Sequence, residues 1–153
     1  MRIAMGADHA GFELKEAVKA KLEAGGHEVT DVGTHTDEST DYPPFAAEAA
    51  ELVAGGKAER GVIVCGSGNG VAIVANKVPG IRAVNAHDVA EAEMARRHNN
   101  INVVTLSGAR LSSDEAGLIV DQFLSEDFEG GRHERRVGEI ATVERTVAER
   151  AAS

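Results

Sequence analysis

The chain has 153 residues, of which 42% are hydrophobic, and it carries a formal net charge of −9. This length and composition predict one domain, spanning residues 1–153, with a hydrophobic core of its own. The negative charge argues against a nucleic-acid partner, because a phosphate backbone requires a basic face, and no segment is apolar for long enough to suggest a membrane partner.

Short β-type runs alternate with helical patterns along the chain. Strands are predicted at residues 3–5, 28–30, 62–65, 82–84 and 103–106, and helices at 12–24, 45–53, 71–77, 89–97 and 115–124. This alternation predicts an α/β fold, in which a doubly wound, Rossmann-like parallel sheet of five strands carries helices on both faces. Charged residues come too early in the first segment for the apolar region of a signal peptide, so we expect a cytoplasmic protein.

Local patterns support the helix boundaries. Leu14, Val18 and Leu22 share one face of the first helix, and two glycines at 25–26 end it. Ser112 and Glu115 have the spacing of a capping box, which predicts the start of the fifth helix.

The tail from residue 130 onward predicts a C-terminal helix rich in Arg and Glu. One apolar stripe runs along it: Val137, Ile140, Ala141, Val147 and Ala148. This stripe could pack on the rest of the same chain or on a second subunit, and the sequence leaves both possibilities open.

Ligands of doubly wound sheets bind beyond the carboxyl ends of the strands. The residues that directly follow each predicted strand are therefore the candidates for a site. They occupy positions 6–11, 33–43, 66–70, 85–88 and 107–110.

The clearest local feature is a glycine-rich loop, Gly66–Gly70, between the third strand and the third helix. Its glycines allow a tight bend, and its N–H groups, with the helix N-terminus, predict a site for an anion or oxyanion. Such surroundings favour the thiolate of Cys65, the only cysteine, which could act as a general base. One cysteine excludes an intramolecular disulfide and a Cys-rich metal site. The alternative is a small buried side chain without chemistry.

A nucleotide-binding loop is a further alternative for this segment. Gly66, Gly68 and Gly70 follow a GxGxG spacing, whereas the dinucleotide fingerprint is GxGxxG and requires glycine where this chain has Val71. Asp88 follows the loop by about 20 residues, the separation along the chain at which an acidic residue of dinucleotide folds contacts the ribose. The chain is nevertheless short for a dinucleotide fold with a substrate domain.

Three further groups carry polar side chains suited to chemistry. Asp8 follows the first strand and could accept hydrogen bonds from a sugar or cap a helix. His98 could move protons near neutral pH or serve as a cation at a helix C-terminus. Arg132 and Arg136, four residues apart, could clamp a phosphate or form ion pairs with nearby Glu. Together with Cys65 these groups suit an aldose–ketose isomerisation through an enediolate, with no metal and no cofactor.

Six motifs in order resemble the type B ribose-5-phosphate isomerases, a family that includes the galactose-6-phosphate isomerase subunits. They are GADHAGFELK (6–15), TDYP (40–43), CGSGNG (65–70), ANKVPGIRA (75–83), RRHNNINV (96–103) and GGRHERRV (130–137). The resemblance covers nearly the whole chain. It implies a doubly wound α/β fold, a homodimer or dimer of dimers, a C-terminal helix packed on a partner subunit, and a site built between subunits.

The resemblance also implies the residues of the reaction centre. Cys65 matches the proton-abstracting cysteine, and Ser67 matches the hydroxyl residue beside it. Some members place a Glu base where this chain has Val71, so the chain is similar to the cysteine-type branch. The loop positions that would bind the enediolate through backbone N–H groups are Gly66, Gly68, Asn69 and Gly70.

The remaining roles follow from the same resemblance. His98 with Asp8 matches the groups that open the sugar ring, and Asn99 matches a residue that binds a sugar hydroxyl. Tyr42 lies on a loop that borders the site. Phosphate and substrate binding is implied for His9, Arg110, Arg132 and Arg136, the last two crossing from the partner subunit. The segment before Arg110 is one residue longer than the family pattern.

The resemblance implies interconversion of ribose 5-phosphate and ribulose 5-phosphate, with a sugar phosphate as the only small-molecule partner. The same chemistry on a tetrose phosphate, allose 6-phosphate or galactose 6-phosphate is the alternative, because the sequence does not define the distance between the reacting carbons and the phosphate. A nucleotide-binding α/β module is the remote alternative.

Overall fold

Five parallel strands form one sheet in the computed structural model, which describes residues 1–153. The strands are β1 (Arg2–Ala7), β2 (Glu28–Asp31), β3 (Arg60–Cys65), β4 (Ala83–Asn85) and β5 (Val103–Ser107). Six helices accompany them: α1 (Phe12–Ala24), α2 (Pro43–Ala54), α3 (Asn69–Asn76), α4 (Val89–Asn99), α5 (Ser113–Ser125) and α6 (Arg132–Ala152). The strand order is β2-β1-β3-β5-β4. The predicted α/β doubly wound fold is confirmed, and every predicted strand overlaps an observed one.

Alternation along the strands divides the core between the two faces of the sheet. Ile3, Met5 and Ala7 of β1 face a cluster built with α1, α4 and α5. Ala4 and Ile63 face the opposite cluster, built with α2 and α3. Cys65 belongs to this second cluster, so its side chain lies on the α3 face of the sheet.

The ends of α1 to α5 lie within two residues of the predicted ends. The capping box of Ser112 and Glu115 is present in both directions, and Gly25 caps the end of α1. Helix α3 begins at residue 69, two residues before its predicted start, so the end of the glycine loop forms its first turn. Asp88 caps α4 by accepting a hydrogen bond from the Glu91 N–H at 2.8 Å. This role explains Asp88 without a ribose contact.

The connections leave β1 and β3 in opposite directions, because β1 leads to β2 on one side and β3 leads to β4 on the other. A crevice opens at such a point, at the carboxyl ends of the two strands. The Asp8 N–H donates to the Val64 carbonyl at 3.3 Å across it. A Cβ on Gly11 would lie 2.5 Å from the same carbonyl oxygen, so glycine is required for α1 to begin this close to β3.

The end of α4 lies at the opposite, amino edge of the sheet. Arg82, which precedes β4, donates from Nε to the carbonyl of Asn99 at 3.0 Å. Helix α4 therefore carries its last residues, including His98, away from the crevice. With about 3.3 Å per strand residue, the six residues of β3 separate the two edges by roughly 17 Å.

Helix α6 begins beside the end of α4 and continues past the edge strand β4. Its apolar residues Ile140, Val143 and Val147 are 48%, 63% and 57% exposed. They line an open groove of about 660 Å³ together with Ile81 and Val84 at the sheet edge. Of the predicted stripe, Ile140 and Val147 are therefore uncovered within one chain, whereas Val137 and Ala141 are half-buried, and Val143 is an additional exposed apolar residue. None of the helices has the length and apolar character needed to cross a membrane.

A buried lysine holds the loop between β2 and α2. Lys15 is fully buried, and its Nζ donates to Asp31 Oδ2 at 2.7 Å and to the Thr34 carbonyl at 2.6 Å. Burial favours a higher pKa for Asp31, but hydrogen bonds from Lys15 and the Gly33 N–H outweigh it and lower the pKa. Asp31 therefore stabilises the fold at pH values above its ordinary pKa of about 3.9. This contribution is lost as the pH falls through the lower pKa of the folded state.

Replacing Lys15 with Met removes the charge that compensates the buried Asp31 carboxylate. We expect the free energy of unfolding to fall by about 3 kcal/mol, the usual effect of breaking a buried ion pair. Lys19→Met is the matched control, since Lys19 contacts the same carboxylate at 3.2 Å but is partly exposed, and it should cost less than about 1 kcal/mol. Urea denaturation at pH 7 measures both, and equal losses would contradict this role of Lys15.

Candidate active site

Cys65 ends β3 at the floor of the crevice. Its side chain is only 4% exposed, and its Sγ accepts a hydrogen bond from the Gly68 N–H at 3.2 Å. Gly68 has φ +80°, a left-handed conformation that suits glycine and turns its N–H back toward the sulfur. One backbone N–H of the loop, that of Gly68, is thus directed at the thiol.

Side chains from β5 support this loop from below. Thr105 Oγ1 donates to the Gly68 carbonyl at 2.8 Å, and Ser107 Oγ donates to the Gly66 carbonyl at 2.7 Å. The residues after β5 run beside the loop, because the Gly108 N–H donates to the Cys65 carbonyl at 2.9 Å. Arg110 follows at the same edge with an exposed side chain, and its N–H donates to Ser107 Oγ at 3.2 Å. The additional residue before Arg110 is therefore accommodated at the carboxyl edge.

Ser67 and Asn69 lie on the exposed side of the loop. The Asn69 N–H donates to Ser67 Oγ at 3.1 Å, so the hydroxyl is held by the backbone that follows it. The Asn69 side chain accepts a hydrogen bond from Asn85 at 2.8 Å. Both side chains lie within the candidate site, where the sequence predicts them.

Asp8 and His9 follow β1 on the other side of the crevice. Asp8 is 7% exposed, and its Oδ1 accepts a hydrogen bond from the Gly11 N–H at 2.9 Å. The alternative role of Asp8, binding the start of α1, is therefore present, and its second carboxylate oxygen is not used by that bond. His9 is exposed, and its Nδ1 accepts a hydrogen bond from the Thr40 N–H at 3.1 Å.

Tyr42 covers the start of α3. A Cβ on Gly70 would lie 2.5 Å from Tyr42 Cζ, which shows that the ring packs directly on the glycine. The loop that carries Tyr42 is attached to the other wall of the crevice through Thr40 and His9. One chain therefore brings together nine of the predicted residues: Asp8, His9, Tyr42, Cys65, Gly66, Ser67, Gly68, Asn69 and Gly70.

The other predicted polar group lies at the amino edge of the sheet. His98 and Asn99 end α4, and Arg132 and Arg136 begin α6. Neither arginine has a carboxylate partner, whereas the neighbouring Arg135 pairs with Glu139. A single chain does not bring these four residues to Cys65.

An unpredicted pair of stacked imidazoles lies beside these residues. The His98 and His133 rings are 4.2 Å apart and nearly parallel, and Glu129 lies 3.8 Å from the Nε2 atom of each ring. Burial, followed by the electrostatic influence of His98 and Arg132, lowers the pKa of His133. Neutral His133 is thus favoured next to a cationic surface.

His98, Glu129 and His133 are also the one cluster with metal-ligand chemistry, since their donor atoms lie within 4.8 Å of one another. The in-plane lone pairs of two parallel stacked rings do not converge on one point. The cluster as arranged is therefore a histidine pair beside a carboxylate, and these residues do not form a preorganised metal site.

Arg96, in the same sequence motif as His98, has a structural role instead. Its guanidinium is buried and donates to the carbonyls of Ile101 and Glu126 at 2.7 and 3.1 Å. Burial, followed by repulsion from Arg60, lowers the pKa of Arg96 to about 10, so it remains a cation at neutral pH. It joins the end of α4 to the start of β5.

Sequence reasoning missed three side chains that support the cysteine loop, namely Asn85, Thr105 and Ser107. Asn85 directly follows the predicted fourth strand and so belongs to the segments expected at the ligand edge. Thr105 and Ser107 interrupt an otherwise apolar, fully buried strand, which is the signal that could have identified them.

The fold and the site together define a class: a doubly wound α/β protein with a cysteine at the crevice between β1 and β3. The Ribose/Galactose Isomerase family matches residues 3–140, so the chain belongs to that family. It is 43% identical to ribose-5-phosphate isomerase B of Escherichia coli, over 94% of this chain and 96% of that protein. It is 42% identical to ribose-5-phosphate isomerase B of Mycolicibacterium paratuberculosis, over 95% and 93% of the two chains.

Solved structures of relatives have the same fold. The ribose-5-phosphate isomerase B of Clostridium thermocellum is 44% identical and superposes with a TM-score of 0.94, over 96% of this chain and 99% of that chain. The isomerase B of Mycoplasma genitalium, solved with bound ribulose-5-phosphate, is 38% identical with a TM-score of 0.90, over 94% and 96% of the two chains.

Replacing Gly70 with Ala should displace the Tyr42 ring, because the new methyl group would overlap it. The chain has one Tyr and no Trp, so its tyrosine fluorescence reports on this contact alone. We expect acrylamide to quench Tyr42 more strongly in Gly70→Ala than in the unchanged protein. Gly66→Ala is the matched control, since its Cβ would meet only Ala10 Cβ, at 3.6 Å. Unchanged quenching in Gly70→Ala would show that Tyr42 does not cover the loop.

Proposed function

We propose that the chain is an aldose–ketose isomerase that interconverts ribose 5-phosphate and ribulose 5-phosphate. The observation that carries the proposal is Cys65, whose sulfur receives a backbone N–H at the β1–β3 crevice. Family membership and relatives named ribose-5-phosphate isomerase B support the substrate. The relative from Mycoplasma genitalium binds ribulose-5-phosphate.

Cys65 is the general base of this proposal. The thiolate removes the proton from C2 of the open-chain aldose, and the same group returns it to C1, since the two carbons are adjacent. The negative charge of the intermediate then resides on the enediolate oxygens, and the proton of the O2 hydroxyl passes to O1 before C1 is protonated and the C2 carbonyl forms. Within the Gly66–Gly70 loop, the Gly68 and Asn69 N–H groups already donate to Cys65 Sγ and Ser67 Oγ, so the N–H groups of Gly66 and Gly70 are the proposed donors for that charge. Such preorganised donors stabilise a developing oxyanion more than mobile water does. Ser67 lies beside the base.

Ring opening precedes proton transfer, because ribose 5-phosphate is mainly cyclic. His98 and Asp8 are the proposed acid–base pair for this step, and Asn99 the donor to a sugar hydroxyl. Asp8 retains a carboxylate oxygen that does not bind Gly11. His98 lies at the opposite edge of its own sheet, so the proposal requires His98 and Asn99 from a second copy.

Arg132 and Arg136 are the proposed phosphate clamp. They are one helical turn apart on exposed positions of α6, and neither is neutralised by a carboxylate. Arginine pairs bind phosphate oxygens through several charge-assisted hydrogen bonds. His9 and Arg110 complete the proposed phosphate environment, and Tyr42 borders the sugar.

The proposal includes a homodimer, or a dimer of dimers, with α6 packed on the partner. The uncovered stripe of Ile140, Val143 and Val147 supports it, because an apolar surface of this kind is typical of an interface. It further includes one isomerase domain over residues 1–153. A cytoplasmic location and the absence of cofactor and metal requirements stay predictions.

Another sugar phosphate is the second candidate substrate, because the family description covers galactose as well as ribose. The enediolate route is the same, and only the distance between the reacting carbons and the phosphate changes. Nucleotide binding rests on the imperfect glycine loop alone, since Asp88 is a helix cap.

The function is tested by assaying the unchanged protein with ribose 5-phosphate, allose 6-phosphate and galactose 6-phosphate. We expect the highest kcat/KM for ribose 5-phosphate. Cys65→Ala should lower kcat for that substrate by about 10²–10⁴-fold, the usual contribution of a general base, while phosphate-sugar binding persists.

Calorimetric titration with ribose 5-phosphate checks that the Cys65→Ala protein still binds. Turnover retained in Cys65→Ala would eliminate the cysteine as base. A higher kcat/KM for a hexose phosphate would reassign the substrate and leave the chemistry intact.

A shared site can be tested by mixing two inactive variants, Cys65→Ala and Arg136→Ala, after unfolding and refolding them together. In a mixed dimer, one site combines both changes and the other has neither. Random mixing should restore about a quarter of the unchanged activity, because half of the dimers are mixed and half of their sites are intact. Activity no higher than that of the separately refolded variants would indicate that each chain builds its own site.

A further inference from the structure

Asn85 joins the edge strand β4 to the cysteine loop. Its Nδ2 donates to the Ser67 carbonyl at 3.1 Å and to Asn69 Oδ1 at 2.8 Å. These bonds cross from the end of one strand to the loop that follows another, so they link two separate parts of the carboxyl edge. No step of the proposed mechanism uses Asn85.

Between these two acceptors lies Gly68, the residue whose N–H reaches Cys65. A Cβ on Gly68 would lie 2.2 Å from Asn85 Oδ1, so the amide rests directly against the glycine backbone. From the neighbouring strand, Thr105 donates to the Gly68 carbonyl. Asn85 and Thr105 face each other in the β4–β5 register. Gly68 is therefore held from two adjacent strands.

The arrangement is not explained by stability alone. Asn85 Oδ1 is buried and has no hydrogen-bond partner. Burying an unpaired carbonyl oxygen opposes folding and offsets part of what the two Nδ2 hydrogen bonds contribute. Such violations of local packing rules are expected where a residue serves a site.

We propose that Asn85 and Thr105 are positioning residues that orient the Gly68 N–H toward Cys65 Sγ. The inference rests on the proposed function of Cys65 as the base. Both residues act through the loop, since Asn85 binds Ser67 and Asn69 and Thr105 binds the Gly68 carbonyl. A correctly directed N–H stabilises the thiolate and limits the movement of the sulfur. Both effects are lost when the loop is free to shift.

Loss of either positioning residue should therefore lower kcat and leave KM nearly unchanged. The proposed phosphate clamp belongs to α6 of a second chain, whereas Asn85 binds the loop of its own chain, so most of the substrate affinity should persist without Asn85. Proton transfer depends on the placement of the sulfur, and small displacements of a reacting group slow such steps strongly. The abstraction of the C2 proton should then limit turnover more than it does in the unchanged protein.

The test compares Asn85→Leu and Thr105→Val with the conservative variant Thr105→Ser. We expect Asn85→Leu and Thr105→Val each to lower kcat by about tenfold or more and to change KM by less than about twofold. The kinetic isotope effect with C2-deuterated ribose 5-phosphate should rise in both. Thr105→Ser keeps the hydroxyl and should retain kcat within about twofold and the isotope effect of the unchanged protein.

Alkylation of Cys65 by iodoacetamide at a constant pH gives a readout independent of isomerase activity. We expect slower alkylation in Asn85→Leu and Thr105→Val, and an unchanged rate in Thr105→Ser. If the unchanged protein has no isomerase activity but this alkylation pattern holds, the proposed function fails while the positioning of Cys65 stands. If either Asn85→Leu or Thr105→Val does not fold, the other variant still tests the placement of Gly68, because the two residues hold it from adjacent strands.

Lower thermal stability with unchanged kcat, isotope effect and alkylation would overturn the proposal and leave Asn85 and Thr105 as purely structural residues. A rise in KM without a fall in kcat would overturn it as well, because it would place these residues in substrate binding.

Discussion

The direction of the parallel strands is the constraint on which the candidate site depends. Every strand ends at the same edge, so each helix that connects two strands must return to the opposite edge before the next one begins. Asp8 and Cys65 lie at the ends of strands and meet at the crevice, whereas His98 lies near the end of a helix at the opposite edge, and the two edges are separated by the length of β3, roughly 17 Å. No rotation of a side chain can close that distance. The proposed chemistry therefore requires two chains related so that the carboxyl edge of one meets the amino edge of the other.

Within one chain, the carboxyl edge supplies the groups that need rigidity. The donor to Cys65 is a backbone N–H, and its direction is set by a glycine with positive φ and by side chains of two neighbouring strands. Backbone groups held in this way do not reorganise during a reaction, which suits them to charge that appears transiently. The amino edge supplies exposed cationic side chains, Arg132 and Arg136, which suit a phosphate group. The two edges thus differ in the kind of group that they offer.

The sequence predicted the sheet, the helices and nine residues of the crevice, because strand ends and glycine loops have local signals. It could not predict that His98 lies far from Cys65 in one chain, because that follows from the path of α4 rather than from any local pattern. The supports beneath the loop were missed for a related reason. Asn85 and Thr105 come from separate segments, and only the pairing of β4 with β5 places both beneath Gly68. The stacking of His98 on His133 likewise depends on where α6 begins.

A crystal structure of the Cys65→Ala protein with ribose 5-phosphate would show whether two chains share the site, since turnover is blocked and the ligand remains. We expect C1 and C2 of the sugar above the Gly66–Gly70 loop of one chain, and the phosphate on Arg132 and Arg136 of a second chain. A sugar phosphate bound wholly by residues of one chain, or bound away from the β1–β3 crevice, would contradict it.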